Sequence, residues 1–384
     1  MLLRLSGPGL LPLGETSQVP FVGRICERTD VSAEERAREI LRITHGTAGF
    51  PLGFRAYLFD DPHKGQVQRD SYALGADWRY LSAGDIIRVD PSRRSLNVLY
   101  RRTSPSNSFL VTERCDNFCL MCSQPPKPHD DGWLVDELME VVPLVSPDTH
   151  EIGITGGEPA LLGERLVRLI EHMKVHLPRT AIHVLSNGRR FADPTFARSI
   201  AAVRHPDLMI GIPLYSDLPE EHDYVVQARG AYEDTIRGIL NLKTAGVRVE
   251  LRFVIHTETF ERLPEFARFV ARNLLFVDHV ALMGLELTGF AKVNIDTLWI
   301  DPLDYREQLA TAVRTLARAG LHVSIYNHQL CVLPSELHTF ARKSISDWKN
   351  AYFDECALCM ARVACGGFFA SSTIRRSRGL SRIT

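Results

Sequence analysis

Residues 115–122 read Cys-Asp-Asn-Phe-Cys-Leu-Met-Cys, and this C-x3-C-x2-C stretch is the most informative part of the chain. Its cysteines, Cys115, Cys119 and Cys122, supply one ligand fewer than a closed zinc site or a fully protein-ligated 4Fe–4S cluster requires. A cubane cluster held by three thiolates keeps one iron open. An open iron can bind a small molecule and pass it an electron, so the spacing predicts a redox-active iron–sulfur site.

A glycine turn further along the chain supplies a second motif. Gly156, Gly157, Glu158 and Pro159 follow a short apolar run at residues 152–154, which indicates the end of a strand. Glycine has no Cβ, so a ligand can approach the backbone closely there. The Glu158 carboxylate and the backbone carbonyls of the turn suit an ammonium group, and the pattern therefore predicts a site for an amino group.

The triad followed by this turn resembles the radical SAM superfamily. In that superfamily three cysteines hold a 4Fe–4S cluster, and Gly-Gly-Glu-Pro holds the amino group of S-adenosylmethionine. The resemblance implies that an external donor reduces the cluster and that S-adenosylmethionine is cleaved to methionine and a 5′-deoxyadenosyl radical. That radical takes hydrogen from the substrate. No catalytic acid or base is assigned beyond the cluster.

The middle of the chain alternates between strand and helix patterns. Apolar runs predict strands at residues 108–112, 151–155, 181–185, 208–214, 247–255 and 277–283. Helical spacing predicts helices at residues 133–145, 161–177, 232–245, 263–273 and 305–319. This alternation predicts an α/β fold with a parallel sheet. Six units fit the partial (β/α)6 TIM-type barrel that the resemblance implies, with the motifs at the carboxyl ends of strands.

The chain is expected to divide into three domains. Residues 1–104 predict a small β-rich N-terminal domain with a hairpin at 86–89 and 96–100 and a helix at 32–44. Residues 105–300 correspond to the barrel, and residues 301–384 to a cysteine-rich C-terminal domain. The N-terminal domain either packs against the barrel or docks a substrate peptide by strand addition.

A second cysteine group lies near the carboxyl end. Cys356, Cys359 and Cys365 have C-x2-C-x5-C spacing, and Cys331 is a candidate fourth ligand. Four thiolates suit either structural zinc or a second 4Fe–4S cluster. The resemblance favours the cluster, because peptide-modifying radical SAM enzymes carry auxiliary-cluster domains. The basic residues that follow, 374–384, are expected to form a disordered tail.

The residues after the triad point to a subfamily. Cys122-Ser-Gln-Pro-Pro, preceded by Arg114 and combined with the terminal cysteines, resembles the C-type radical SAM maturases of the His-Xaa-Ser system. That resemblance implies a ribosomal precursor peptide with His-Xaa-Ser repeats as substrate and a second radical SAM maturase as partner. The alternative is a non-catalytic iron–sulfur subunit that docks to the second maturase or transfers electrons to it.

Ribose contacts are less well marked. Related enzymes open the stretch after the fourth strand with Ser-x-Asp-Gly, whereas this chain has Pro-Leu-Tyr-Ser at residues 213–216. The expected contacts to the ribose hydroxyls are therefore assigned to Asn187, Ser216 or Arg252.

Composition excludes some partners. The net charge of −1 over 384 residues gives no overall attraction to nucleic acid or membrane. No apolar run reaches the length of a membrane-spanning helix. Closely spaced cysteines favour metal binding over disulfides, which predicts a cytoplasmic protein whose thiols stay reduced.

Overall fold

The computed structural model describes residues 5–44, 51–61, 67–343 and 350–384. The chain divides into two compact units. One contains Met1–Phe109, Trp133–Ile152 and His172–Thr180, and the other contains Leu110–Gly132, Gly153–Glu171 and Ala181–Thr384. The division into three domains at residues 104 and 300 stays a prediction.

The first unit contains an eight-stranded sheet. Its strands are β1 (Ser6–Pro8), β2 (Leu10–Pro12), β3 (Phe21–Cys26), β4 (Glu39–Ile43), β5 (Ala56–Phe59), β6 (Ser71–Leu74), β7 (Ile86–Asp90) and β8 (Ser95–Tyr100). Their order in the sheet is β1-β8-β7-β3-β4-β5-β6-β2. Strands β7 and β8 form the antiparallel hairpin at the predicted position. Trp78, Tyr72 and Ile40 are fully buried in the apolar core of this sheet.

The predicted helix at residues 32–44 is wrong beyond its first turn. Ser32 and Glu35 do form a capping box, but helix α1 covers only Ala33–Arg36. Every residue of β4 is buried, and β4 pairs with β3 on one side and β5 on the other. A helix would bury one stripe of this segment, whereas a strand inside a sheet buries both of its faces.

A seven-stranded sheet carries the sequence motifs. Its strands are β9 (Asn107–Thr112), β10 (Glu151–Gly156), β11 (Ala181–Leu185), β12 (Leu208–Pro213), β13 (Arg248–Ile255), β14 (His279–Gly284) and β15 (Val323–Tyr326). They lie in the sheet in sequence order, and the pairs from β11 to β15 are parallel. The first six match the predicted strands, and β15 was not predicted.

Helices separate these strands. They are α2 (Trp133–Val141), α3 (Glu164–His176), α4 (Pro194–Ala202), α5 (Pro219–Val226), α6 (Ala231–Thr244), α7 (Leu263–Asn273), α8 (Gly289–Val293), α9 (Ile295–Leu298) and α10 (Arg306–Arg318). The five predicted helices correspond to α2, α3, α6, α7 and α10. In the described part of the chain, none of the helices combines the length and the apolar character needed to span a membrane.

The carboxyl-terminal residues are ordered, so the expectation of a disordered tail is wrong. Two short strands, β16 (Asn350–Ala351) and β17 (Phe368–Phe369), pair antiparallel. Beyond them, Ser377 is buried and donates its hydroxyl proton to Asp301 at 2.6 Å. The guanidinium of Arg378 pairs with the carboxylate of Asp304 at 2.9 Å. These carboxylates lie far upstream in the sequence but in the same unit, and they hold the basic segment in place.

Candidate metal and cofactor sites

The cysteine triad lies on the loop that follows β9. All three thiols are free and partly buried. Backbone hydrogen bonds fasten the loop to the end of α5: Phe118 N–H donates to the carbonyl of Val226 and Leu120 N–H to that of Val225, both at 3.0 Å. The carbonyl of Leu120 also accepts from the Asn294 amide at 2.8 Å. These hydrogen bonds fix the backbone of the loop, and the loop backbone in turn positions the three cysteines.

Burial raises the pKa of the triad thiols. It raises the pKa of Cys115 to about 12, with the Glu158 carboxylate adding to the shift. It also raises the pKa of Cys119 strongly, and there the charges of Cys122 and Cys115 contribute. Thiolates this close repel one another unless a cation lies among them, and a cationic cluster is such a partner. The donor set therefore fits an iron–sulfur cluster.

Among the described residues, no three His, Cys, Asp or Glu side chains converge on a point in the manner of a single-ion site. In a 4Fe–4S cubane each cysteine binds a different iron, so the ligands of a cluster are spread more widely than those of one ion.

The two glycines of the turn are required by the protein's own backbone. A Cβ on Gly156, whose φ is +154°, would lie 2.1 Å from the carbonyl oxygen of Thr112. A Cβ on Gly157 would lie 2.2 Å from that of Arg114. Instead, Gly157 N–H donates to Thr112 at 2.8 Å and Glu158 N–H to Arg114 at 2.7 Å. The space that a Cβ would occupy at these glycines is filled by the segment that enters the triad. Their predicted contacts with the cofactor stay predictions.

The Glu158 carboxylate faces the interior. Glu158 is fully buried, and its carboxylate accepts hydrogen bonds from the Ser186 hydroxyl at 2.6 Å and from Ala160 N–H at 2.8 Å. It also accepts from Asn187 N–H. Burial raises the pKa of Glu158 to about 7, although these hydrogen bonds lower it. The carboxylate joins the ends of β10 and β11 through these hydrogen bonds. The contacts with an ammonium group that the sequence assigns to Glu158 and Pro159 stay predictions.

Asn187 links β11 to the triad loop. Its amide nitrogen donates to the Asp116 carboxylate at 2.6 Å. Arg189 donates to the carbonyl of Asp116 at 3.0 Å and to the Asn117 side chain at 2.9 Å. Asp116, Asn117 and Arg189 were missed by the sequence analysis. The signals were a polar pair inside the triad spacing and an arginine directly after Ser-Asn-Gly, but neither predicts a contact without the fold.

Ser216 lies in the loop after β12 and Arg252 lies within β13, and the polar groups of both side chains already have partners. The buried Ser216 hydroxyl donates to Glu221 at 2.7 Å and accepts from Leu218 N–H at 3.1 Å. The Arg252 guanidinium donates to the buried Glu250 carboxylate at 2.6 Å. The hydroxyl of Ser216 thus bonds to its own loop and to the first turn of α5. The ribose contacts of both residues stay predictions.

The second cysteine group lines one cavity of about 300 Å³. Its cysteines are Cys331, Cys356, Cys359 and Cys365. Backbone N–H groups donate to their sulfurs: Gly367 donates to Cys365 at 3.4 Å, and Ile383 donates to Cys359 at 3.3 Å. Such donors stabilise thiolates, and the absence of a convergent single-ion site among the described residues makes the four cysteines fit a 4Fe–4S centre better than a zinc ion. Cys331, distant in sequence, lines the same cavity.

A larger open cavity of about 710 Å³ lies where β13, β14 and β15 end. Its walls include Trp299, Tyr305 and Asn327, together with the side chains of Arg375 and Arg376. Gln329 and Phe368 line both this cavity and the cavity of the second cysteine group. The two cavities are therefore neighbours with a shared wall.

A parallel sheet whose first strand leads into a cysteine triad, tied to a Gly-Gly-Glu-Pro turn, is the arrangement expected of a radical SAM domain. Residues 109–270 match the Radical SAM superfamily, and both motifs lie within that match. Radical SAM domains use a 4Fe–4S cluster and S-adenosylmethionine.

Two relatives extend the likeness. Over 223 residues the chain is 25% identical to the PqqA peptide cyclase of Granulibacter bethesdensis, and the match covers 54% of each protein. The chain thus spans about half the length of the curated relative it matches. The crystal structure of Streptococcus suis SuiB bound to S-adenosylmethionine has a similar fold, with a TM-score of 0.51 at 12% identity over 72% of this chain and 76% of that one. These matches confirm the predicted α/β barrel fold.

Proposed function

We propose that this chain is a radical SAM enzyme that modifies a ribosomally made peptide, with His-Xaa-Ser repeats as its expected substrate. The observation that carries the proposal is the pair of backbone hydrogen bonds between the Gly-Gly-Glu-Pro turn and Thr112 and Arg114. They couple the predicted cofactor site to the segment that enters the triad. The peptide substrate is inferred from the similarity to a peptide cyclase.

Each motif has a separate task. Cys115, Cys119 and Cys122 would hold the cluster, and the backbone of residues 156–159 would meet the amino group of the cofactor. When bound, the cluster and S-adenosylmethionine supply a 5′-deoxyadenosyl radical that removes hydrogen from the substrate. Asn187 and Arg189 hold the triad loop in place through Asp116 and Asn117. Fixing this loop keeps the cluster ligands in position before the cofactor arrives.

The buried histidines of the second unit are poor proton donors. Burial lowers the pKa of His222 and of His328 to about 4, and that of His256 to about 3. They are neutral at physiological pH and make structural contacts, such as the Tyr305–His328 hydrogen bond at 2.8 Å. The proposal therefore assigns no acid or base among them.

The second cysteine group is proposed to hold a 4Fe–4S cluster, with zinc as the alternative. Four sulfurs around one cavity, with peptide N–H donors to two of them, support a metal centre. A cluster there would accept the electron released when the peptide product forms. The larger cavity, which shares a wall with it, is proposed to take the peptide. A second radical SAM maturase and an external electron donor are the proposed protein partners.

Formation of 5′-deoxyadenosine tests the enzymatic part of the proposal. Anaerobically reconstituted protein, S-adenosylmethionine and dithionite should yield 5′-deoxyadenosine without any other protein. Adding a co-encoded precursor peptide should then give a peptide of altered mass. If the reconstituted protein makes no 5′-deoxyadenosine, the non-catalytic partner becomes the correct description. If 5′-deoxyadenosine forms but the peptide is unchanged, only the substrate assignment is wrong.

A further inference from the structure

Residues 377–383, here called the cap, lie against the second cysteine group. Leu380, Ser381 and Ile383 line the same cavity as its four cysteines. The sequence assigned no role to these residues. Because they form part of the cavity wall, their position decides how far the cysteines are separated from solvent.

A buried carboxylate anchors the start of the cap. Asp301, which is only 4% exposed, accepts the Ser377 hydroxyl at 2.6 Å and Arg378 N–H at 2.8 Å. Gly379 then packs against Leu303, since a Cβ at this glycine would lie 2.7 Å from a methyl group of that leucine. A carboxylate this deeply buried and paired holds its partners firmly. The cap therefore enters the cavity wall from a fixed point.

The end of the cap forms hydrogen bonds with Cys359 and with the residue that follows it. Ile383 N–H donates to the sulfur of Cys359 at 3.3 Å, while the Ile383 carbonyl accepts from Met360 N–H at 3.0 Å. Ser381 and Cys331 line the same cavity. The sulfur of Cys359 thus receives a peptide N–H from this segment. Peptide N–H donors to cysteine sulfur stabilise its negative charge and raise the reduction potential of an attached cluster.

We propose that the cap is a positioning element of the second metal centre, which it closes to solvent and whose sulfur at Cys359 it supplies with an amide hydrogen. The proposal rests on the proposed function, since it takes the second cysteine group to be a metal centre. In the loaded protein the cap then sets the potential of that centre and slows the loss of its metal.

Two variants at residue 383 distinguish the effect of the backbone N–H from the effect of the side chain. I383P removes the N–H that donates to Cys359, and I383V keeps it. Both are made in a full-length chain whose three triad cysteines are replaced by alanine, so that only the second centre contributes. The midpoint potential is read by an EPR-monitored redox titration. Metal release is read by the colour of an added iron chelator.

The expected result is a more negative potential and metal release about fivefold faster in I383P, the factor that corresponds to one lost hydrogen bond. I383V should match the parent in both readouts. D301A, which frees the start of the cap, should release metal at least as fast as I383P. R378A removes the ion pairs of its guanidinium with Asp304 and Asp301 but keeps the backbone N–H that Asp301 accepts. It provides a milder variant should D301A fail to fold. Equal midpoint potentials and equal rates of metal release in the parent, I383P and R378A would refute the proposed role of the cap.

A separate result shows whether the second cysteine group holds an iron–sulfur cluster at all. If the triad-free parent takes up zinc, or no metal, the 4Fe–4S part of the proposed function is wrong. The cap is then judged on metal-free protein by N-ethylmaleimide labelling. Faster labelling of Cys359 in R378A, which keeps the Ile383 N–H, than in the parent supports the cap, and equal labelling rates overturn it.

Discussion

Replacing Gly157 by alanine tests whether this glycine serves the fold or a ligand. The added Cβ would lie 2.2 Å from the carbonyl oxygen and 2.5 Å from the carbonyl carbon of Arg114, distances that force the two backbone segments apart. The shift breaks the hydrogen bonds from Gly157 to Thr112 and from Glu158 to Arg114. Overpacking costs about 2 kcal/mol and each lost hydrogen bond about 1 kcal/mol, so unfolding should become easier by about 4 kcal/mol.

Gly163 provides the matched control. It lies a few residues further along the same segment, with a φ of +57° and nothing within 4 Å of an added Cβ. G163A therefore meets backbone strain alone, at a cost of about 2 kcal/mol, because its φ of +57° and ψ of −123° lie outside the left-handed helical region. The assay is urea unfolding of metal-free, reduced protein followed by circular dichroism. Without cofactor present, a ligand-clearance role for Gly157 predicts no change in the midpoint.

The outcome distinguishes the two explanations. If G157A unfolds at the same urea concentration as the parent, the close backbone approach is not what requires a glycine at this position. A loss of stability about twice that of G163A supports the structural explanation. In that case reduced cofactor binding by G157A follows from a displaced triad loop.

Three further predictions concern the metals and the buried charges. Alanine in place of any one triad cysteine should abolish 5′-deoxyadenosine formation while iron at the second group remains; cleavage at the parental rate would refute the triad assignment. Reconstituted protein should carry about eight irons by chemical analysis, and C331A should lower that count if Cys331 is a ligand. Burial tends to raise the pKa of Glu250, but the His279 hydrogen bond and the Arg252 charge outweigh it and lower the pKa from 4.5 to about 2. The stabilisation from Glu250 is therefore complete above pH 4.5 and lost as the pH falls towards 2, so the parent should lose about 3 kcal/mol more than E250Q in urea unfolding over that range; parallel pH profiles would contradict this.

The strands that carry the motifs were predictable from local pattern. Each of β9 to β14 contains an apolar run within one segment, and a buried parallel strand requires that composition. Strand β15 escaped prediction because it has only four residues and Ser324 interrupts its apolar run. Helix α4 was missed for a related reason. It is short, and its start depends on the Asp193 cap and Pro194 rather than on a long apolar stripe.

The contacts that tie the site together were not predictable from local pattern. Asn187 reaches Asp116 across 71 positions of sequence, and Arg189 reaches Asn117 across 72. A sequence shows that Asn187 follows a strand and that Asp116 lies between cysteines. Only the order of strands in the sheet brings their side chains within hydrogen-bonding distance. The triad could therefore be named from its spacing, whereas the groups that hold its loop could not.

The carboxyl-terminal tail shows how a charge pattern misleads when it is considered alone. Arg375 and Arg378 suggest a solvated tail, because a run of like charges normally repels itself and stays in water. Here Asp296 pairs with Arg375 at 2.8 Å and Asp304 with Arg378 at 2.9 Å. Asp301 accepts the backbone N–H of Arg378. The acidic partners lie in the segment before α10, in the same order as the basic residues they bind. A basic run predicts disorder only where no acidic segment faces it. Since which segment faces it depends on the packing of the whole unit, the pairing becomes visible only in the folded chain.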